Sequence, residues 1–208
     1  MTIKRTLVVI LGVALAGLGA SVQYISYFGI SPYNALLVGL SEQSKIGIGT
    51  LSLLAQLILA AIVLVLDKSK LWWGTLIPLV GFGYAMEFFN YLFSTLGINF
   101  AEQAFYIKFM IFMIGILILS FGGTMYMTVN IGMMPYDGLM FAAESRLNIP
   151  SKQVRISQDL FFCLLAFLFK GPLSFGTVIQ ATCMGYFIAF YREGIIKSFF
   201  TKINLIPK

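Results

Sequence analysis

GISPYNALLVGLSE (residues 29–42) and GMMPYDGLMFAAE (residues 132–144) are two versions of one stretch, and their reading decides the fold. Each opens on a glycine, where a chain can break sharply, and places a proline where the first helical turn would begin. Each is too apolar for an ordinary loop. At 1.5 Å per residue about a dozen residues cover only some 18 Å, too little to cross roughly 30 Å of hydrocarbon. Half-helices entering from one side, or broken helices, are predicted at both places.

The duplication extends outward from these stretches. At an offset of 103, Gly12 pairs with Gly115, Gly19 with Gly122, Gly29 with Gly132, Pro32 with Pro135, Tyr33 with Tyr136 and Leu36 with Leu139. After a one-residue deletion, Gly74 pairs with Gly176, Thr75 with Thr177, Gly83 with Gly185 and Tyr84 with Tyr186. Long apolar runs fall at about 6–28, 50–66, 71–96, 107–129, 154–170 and 173–191, three in each copy. An odd number of crossings per copy turns the second copy upside down. The expected fold is therefore an all-α polytopic membrane protein of two inverted three-helix repeats, 6–98 and 107–200. Each repeat carries a short half-helix, within one transmembrane domain spanning 1–208 and crossing about six times. Secondary transporters share this plan, with the binding site where the halves meet.

Composition agrees with a membrane class. Hydrophobic residues make up 59% of the chain, charged residues 11%, and mean hydropathy is +0.91. The run from Leu7 to Tyr27 is long for a signal segment and lacks a clear cleavage site, so it is expected to be retained. There is no histidine, which removes the commonest proton relay and metal ligand. Cys163 and Cys183 sit inside apolar runs without metal-ligand spacing, and no cofactor is expected. The net charge of +6 needs no nucleic acid to explain it. With six crossings and a cytoplasmic N-terminus, the inside receives Lys4, Arg5, Lys68, Lys70, Arg146, Lys152, Arg155, Arg192, Lys197, Lys202 and Lys208. The outside keeps Lys45, Lys108 and Lys170. Letting both short helices cross gives the same balance with Lys68 and Lys70 exchanged for Lys45 and Lys108. Only the shortness of the two stretches favours six crossings over eight.

The two half-helix starts form the candidate site. Their amide groups carry positive partial charge and suit a carboxylate or phosphate. Ser31 can cap the first; Met134 cannot cap the second. Tyr33 and Tyr136 add hydroxyls and aromatic faces, Asn34 an amide and Asp137 a carboxylate, so one end suits an anionic group and the other a cationic one. A helix-breaking turn kept for folding is the plainer alternative. Glu87 lies deep in the third apolar run, where a carboxyl is expensive unless paired or wet, and is a candidate for substrate or proton coupling, with a structural hydrogen bond near the outer interface as the alternative. Tyr84 and Tyr186, matched by the repeat, are candidates to face each other across the same cavity, with interfacial or packing roles as the alternative. Asp159 and Arg155, four residues apart, read as a same-face ion pair at the cytoplasmic end. Gly12, Ala16 and Ala20 form a stripe of small residues suited to close helix packing or to docking on a membrane partner.

The glycine-rich first helix, the GxSPYNALLxGLS segment, IGIGTLSLL and a later G-T-x-I-P-x-x-G-x-G-Y together resemble the YitT/YczE group of bacterial integral membrane proteins. Members usually carry tryptophan and aspartate after the proline, where this chain has Tyr33 and Asn34, then Tyr136 and Asp137. The resemblance implies a multi-pass protein of the bacterial plasma membrane and supplies little mechanism. It also implies an alternative for some relatives: the substrate-binding component of an energy-coupling-factor importer for vitamin B6-like compounds. That component docks through small residues, matched here by Gly12, Ala16 and Ala20, on a membrane coupling subunit with ATPases. The leading expectation is transport of a small polar or zwitterionic metabolite. A non-transporting membrane accessory protein is the second class. An enzyme is not expected, because no nucleophile–base pair or HExxH motif is present.

Overall fold

The computed structural model describes residues 2–129, 131–202 and 205. Its helices are α1 (Thr2–Ser26), α2 (Pro32–Ser44), α3 (Ile48–Leu66), α4 (Leu76–Thr95), α5 (Phe105–Thr128), α6 (Pro135–Leu147), α7 (Ser151–Leu168), α8 (Phe175–Phe190) and α9 (Lys197–Lys202). Two single 3₁₀ turns, Lys68–Lys70 and Trp73–Thr75, lead into α4, and a π-helical turn, Tyr191–Ile196, joins α8 to α9. No strand occurs among the described residues. Met1 and Lys208, both assigned to the cytoplasmic side above, lie outside the described residues, as do the side chains of Lys70 and Lys152.

Among the described residues four stretches are long and apolar enough to cross a membrane: Ile3–Ser26, Ile48–Leu66, Trp73–Thr95 and Phe105–Thr128. The other two expected crossings form α7 and α8, of 18 and 16 residues, and do not reach that standard. α7 falls short because Arg155 and Asp159 occupy its first half. The GISPYN and MMPYDG stretches do become short helices, α2 and α6, of 13 residues each. Thirteen residues rise only about 20 Å.

Steric contacts fix how the helices run. A Cβ added at Gly12 would stand 2.8 Å from the Gly122 carbonyl oxygen, and one at Gly19 would stand 2.8 Å from that of Gly115. Rising numbers in α1 meet falling numbers in α5, so these two helices are antiparallel and nearly in backbone contact. Ala16 and Ala20 are buried in α1 with Gly12. The small-residue stripe proposed for partner docking is thus covered within the chain, because only residues this small admit α5 so closely. On its other side α1 meets α4. Val13 lies against Gly81, Gly17 against Ala85, and the Ser21 hydroxyl donates to the Met86 carbonyl at 2.9 Å. Here numbers rise together, and α1 and α4 are parallel. α3 runs opposite to α4, with Gly49 beside Glu87 and Ser52 beside Gly83. Between the parallel α1 and α4 the chain runs back at full length through α3.

The short helices pack on the other half of the chain. α2 lies against the end of α7, Gly39 touching Phe169 and Gly171. α6 lies against the end of α3, where the Arg146 Nε donates to the Leu66 carbonyl at 2.8 Å and Ser145 Oγ to Asp67 Oδ2 at 2.8 Å. The corners ahead of them are exchanged in the same way. Ser174 Oγ donates to the Phe28 carbonyl at 2.6 Å, and the Gly74 amide donates to the Ile131 carbonyl at 3.0 Å. Gly132 turns its corner with φ +141°, open only to glycine, and the Thr75 hydroxyl would touch any Cβ there. Outward, Leu54, Ile58, Val65, Tyr91, Leu160 and Phe167 are exposed, the apolar surface expected of a protein whose solvent is lipid.

Candidate functional site

The starts of α2 and α6 meet at the centre of the molecule. Tyr33 and Tyr136 pack with tilted rings, centroids 5.0 Å apart, and Phe162 of α7 closes on both rings at 5.4 Å. Each helix start is capped, by different means. Ser31 accepts the Asn34 amide at 3.2 Å, the expected N-cap of α2. Met134 holds the equivalent place before α6 and offers no oxygen. There Gln56 reaches across from α3, and its Oε1 accepts the Tyr136 amide at 3.2 Å.

Around these starts the two halves carry different chemistry at equivalent positions. Offset by 103, Tyr33, Asn34, Ser52 and Gln56 correspond to Tyr136, Asp137, Arg155 and Asp159. In the first half Tyr33 shares its hydroxyl with Ser52 Oγ at 3.1 Å, and the cluster is neutral. In the second, Arg155 Nη1 donates to Asp137 Oδ1 at 2.9 Å and Arg155 Nε faces Asp159 Oδ2 at 3.4 Å. The Tyr126 hydroxyl donates to Asp137 Oδ2 at 2.8 Å, and the Tyr136 hydroxyl donates to Asp159 Oδ1. Every carboxylate oxygen therefore has a donor. The guanidinium also lies over the Tyr136 ring, 4.6 Å from its centroid. Gln158 completes the frame by donating from Nε2 to the Tyr136 carbonyl at 2.9 Å. Two acids against one base leave the cluster one negative charge in excess. Buried charges persist only with such complete pairing.

A cavity of about 50 Å³ opens beside this cluster, room for a few waters. Ser31, Asn34, Tyr126, Tyr136, Asp137, Arg155 and Gln180 give its polar lining, and Ala16, Phe82, Leu119, Met127 and Met184 are among its apolar walls. Asn34 is 1% exposed and Gln180 2%, yet Asn34 Oδ1 and Gln180 Oε1 have no hydrogen-bond partner. Two buried amide oxygens without donors beside a polar cavity are unusual in a folded protein.

Of the residues picked from sequence, the structure brings Tyr33, Asn34, Tyr136 and Asp137 together, and it brings Ala16 to the cavity wall. Glu87 is elsewhere. Its Oε2 accepts the Gly49 amide at 2.8 Å, at the start of α3. The orphan N–H groups of that helix end account for a carboxylate inside an apolar segment. Tyr84 lies beside Gly49 and is 44% exposed; Tyr186 is 72% exposed. Neither faces the cavity. Both point outward because Phe82 and Gly83 in one half, and Gly176, Thr177 and Gln180 in the other, occupy the inward faces of α4 and α8. The sequence reading missed Arg155 as a site residue, taking it only as the i, i+4 partner of Asp159. It also missed Tyr126 and Gln180. Extending the 103 offset to Ser52 and Gln56 was the signal that would have placed Arg155 and Asp159. Nothing comparable marked Tyr126 or Gln180. Among the described residues no three of His, Cys, Asp and Glu converge as metal ligands would.

Apolar helices of crossing length around a buried polar centre define a helical membrane protein. Residues 3–193 match the model of a family of unknown function, DUF6198, and the chain belongs to that family. It is similar to an uncharacterized protein of Haemophilus influenzae, 30% identical over 196 residues, covering 93% of this chain and 86% of the relative. It is also similar to two Bacillus subtilis proteins. The uncharacterized protein YyaS is 25% identical over 200 residues, 92% of this chain and 94% of the relative. The uncharacterized membrane protein YczE is 23% identical over 162 residues, 78% of this chain and 73% of the relative. The YitT/YczE-like kinship suggested by the GxSPYN segment is thereby shown. No solved structure matches.

Proposed function

We propose that this protein is a carrier that moves a small polar or zwitterionic solute across the bacterial plasma membrane, binding it between the starts of α2 and α6. Its plan is two inverted repeats, 6–98 and 107–200, with six crossings and both termini in the cytoplasm. The antiparallel contact of α1 with α5 and the exchanged corners support that plan. So does the length of α2, too short for a full crossing. α7 and α8 complete the six as short crossings whose charged or π-helical ends reach the interface.

One observation carries the functional reading. Two helix starts converge on a cavity that offers one acid, Asp137, an arginine and unpartnered amide oxygens, in a chain otherwise poor in buried charge. Unpartnered amides also occur at Gln23 and Asn90, so what supports a ligand here is the convergence of such groups with Asp137 and Arg155 on one cavity. The stripe of Gly12, Ala16 and Ala20 is used inside the chain, which favours a self-sufficient carrier over a subunit docked through that stripe. The test is a thermal-unfolding screen of the purified protein against amino acids, betaines and vitamins, followed by proteoliposome uptake of any stabiliser. Uptake that is lost in Asp137→Asn is expected. A stabiliser that binds tightly but is never moved across the vesicle wall would overturn the carrier reading.

A further inference from the structure

We propose that Arg155 is a tethered stand-in for the solute's cationic group: it neutralises Asp137 in the empty site, and an ammonium-bearing solute takes that place. This rests on the site described above and names its ligand chemistry. The excess negative charge belongs to the second half alone, because the equivalent residues Asn34, Ser52 and Gln56 are neutral. The scaffold therefore does not require the acids. Arg155 reaches Asp137 through a single nitrogen, Nη1, at 2.9 Å, while its Nε keeps a longer 3.4 Å contact with Asp159. It can release the first carboxylate and stay on the second. Its guanidinium already rests on the Tyr136 face, a surface that holds a cation in either position.

The cavity also offers acceptors. Asn34 Oδ1 and Gln180 Oε1 lack donors and are almost fully buried, so an incoming N–H group meets acceptors on the wall it shares with Asp137. An anion would meet the Asp137 carboxylate at the cavity wall, with a second, Asp159, held behind it on Arg155. A primary ammonium, alone or as part of a zwitterion, brings the missing donors and the missing positive charge together. Arg155 and the ligand then compete for one carboxylate oxygen, which sets an affinity ceiling in the native protein.

The experiment uses full-length protein in detergent with methylammonium or acetate as probes. Its readouts are thermal unfolding and the NMR signal of the Arg155 Nε–H, assigned by its loss in Arg155→Lys. Methylammonium should stabilise the native protein and shift that signal, and acetate should do neither. In Arg155→Gln/Asp159→Asn, which keeps the cluster's net charge, methylammonium should bind about tenfold more tightly, and adding Asp137→Asn should abolish the gain. Should the double variant fail to fold, Arg155→Lys, which keeps the charge but loses the fork, should show the same tightening at a smaller ratio. Equal methylammonium affinity in native and variant protein, an unmoved Nε–H signal, or acetate binding that disappears with Arg155 each overturns the proposal. Uptake is not part of this test. Cation binding without transport would leave this inference standing and remove the carrier reading, whereas transport of a solute without cationic groups would do the reverse.

Discussion

Glu87 offers the sharpest separation of a structural acid from a coupling acid. Its Oε2 accepts the Gly49 amide at 2.8 Å, and it sits eight residues before the end of α4, about 12 Å inside that helix end. A hydrogen bond to a charged acceptor contributes about 1.5–3 kcal/mol net and a neutral one about 0.5–1.5. Glu87→Gln keeps an oxygen in place and gives up the charge, so it should destabilise by about 1 kcal/mol. Glu87→Ala leaves the Gly49 amide unpaired at a half-buried site and should destabilise by about 2 kcal/mol. For a chain of this size these become drops in melting temperature of about 2–4 °C and 4–8 °C. The assay is thermal unfolding in detergent, paired with proteoliposome uptake of a solute identified by the stabilisation screen. Uptake by Glu87→Gln should stay within about twofold of native once folded protein is matched, since the carboxylate does not touch the cavity. An unchanged melting temperature with collapsed uptake would show that Glu87 couples transport and that the capping account is wrong.

The remaining predictions probe the centre, the crossing and the topology. Tyr126→Phe removes the donor to Asp137 Oδ2 and should destabilise by about 1–3 kcal/mol, with a smaller loss in an Asp137→Asn background when the two are combined in a thermal-unfolding cycle. Gln56→Leu strips α6 of its only side-chain cap, and a loss of about 1 kcal/mol is expected in the same measurement. Gly19→Val would drive a side chain into the α5 backbone, whose Leu119 Cα stands 2.7 Å from the first added carbon. Backbone cannot yield as a side chain does, so a loss of about 3 kcal/mol or more is expected, seen as absence of a monodisperse peak on size exclusion. In a Cys163→Ser/Cys183→Ser background, Lys45→Cys should react with a membrane-impermeant maleimide from outside intact cells and Glu144→Cys should not. Labelling of residue 45 only after lysis would contradict six crossings.

Much of this fold was legible because its signals are steric and local. Glycine–proline punctuation marked both short helices, and small residues recurring in α1 and α5 marked a close crossing. The Tyr33–Asn34 and Tyr136–Asp137 pairs were readable as neighbours because the proline fixes each at the first turn of its helix. Arg155 escaped because a charge near a helix end has two futures, solvent or interior. Sequence spacing showed only its partner on the same helix, whereas Asp137 comes from another element. Glu87 misled for a related reason. An acid in an apolar run must satisfy something, and which something depends on where the next helix happens to begin. Tyr84 and Tyr186 were matched by repetition, but repetition fixes equivalence rather than direction, and both face outward.

The exchanged corners have a consequence for biosynthesis. The Phe28–Gly29 corner finds its seat on Ser174 and Gly176, which leave the ribosome only after α1 to α7 have been made. Until then the early helices wait in the bilayer with that corner's backbone groups unsatisfied and α2 without the end of α7 to lie on. In the finished fold the first half is thus closed by contacts that only the second half supplies. A chain interrupted before α8 leaves no finished first half behind, only material for membrane proteases.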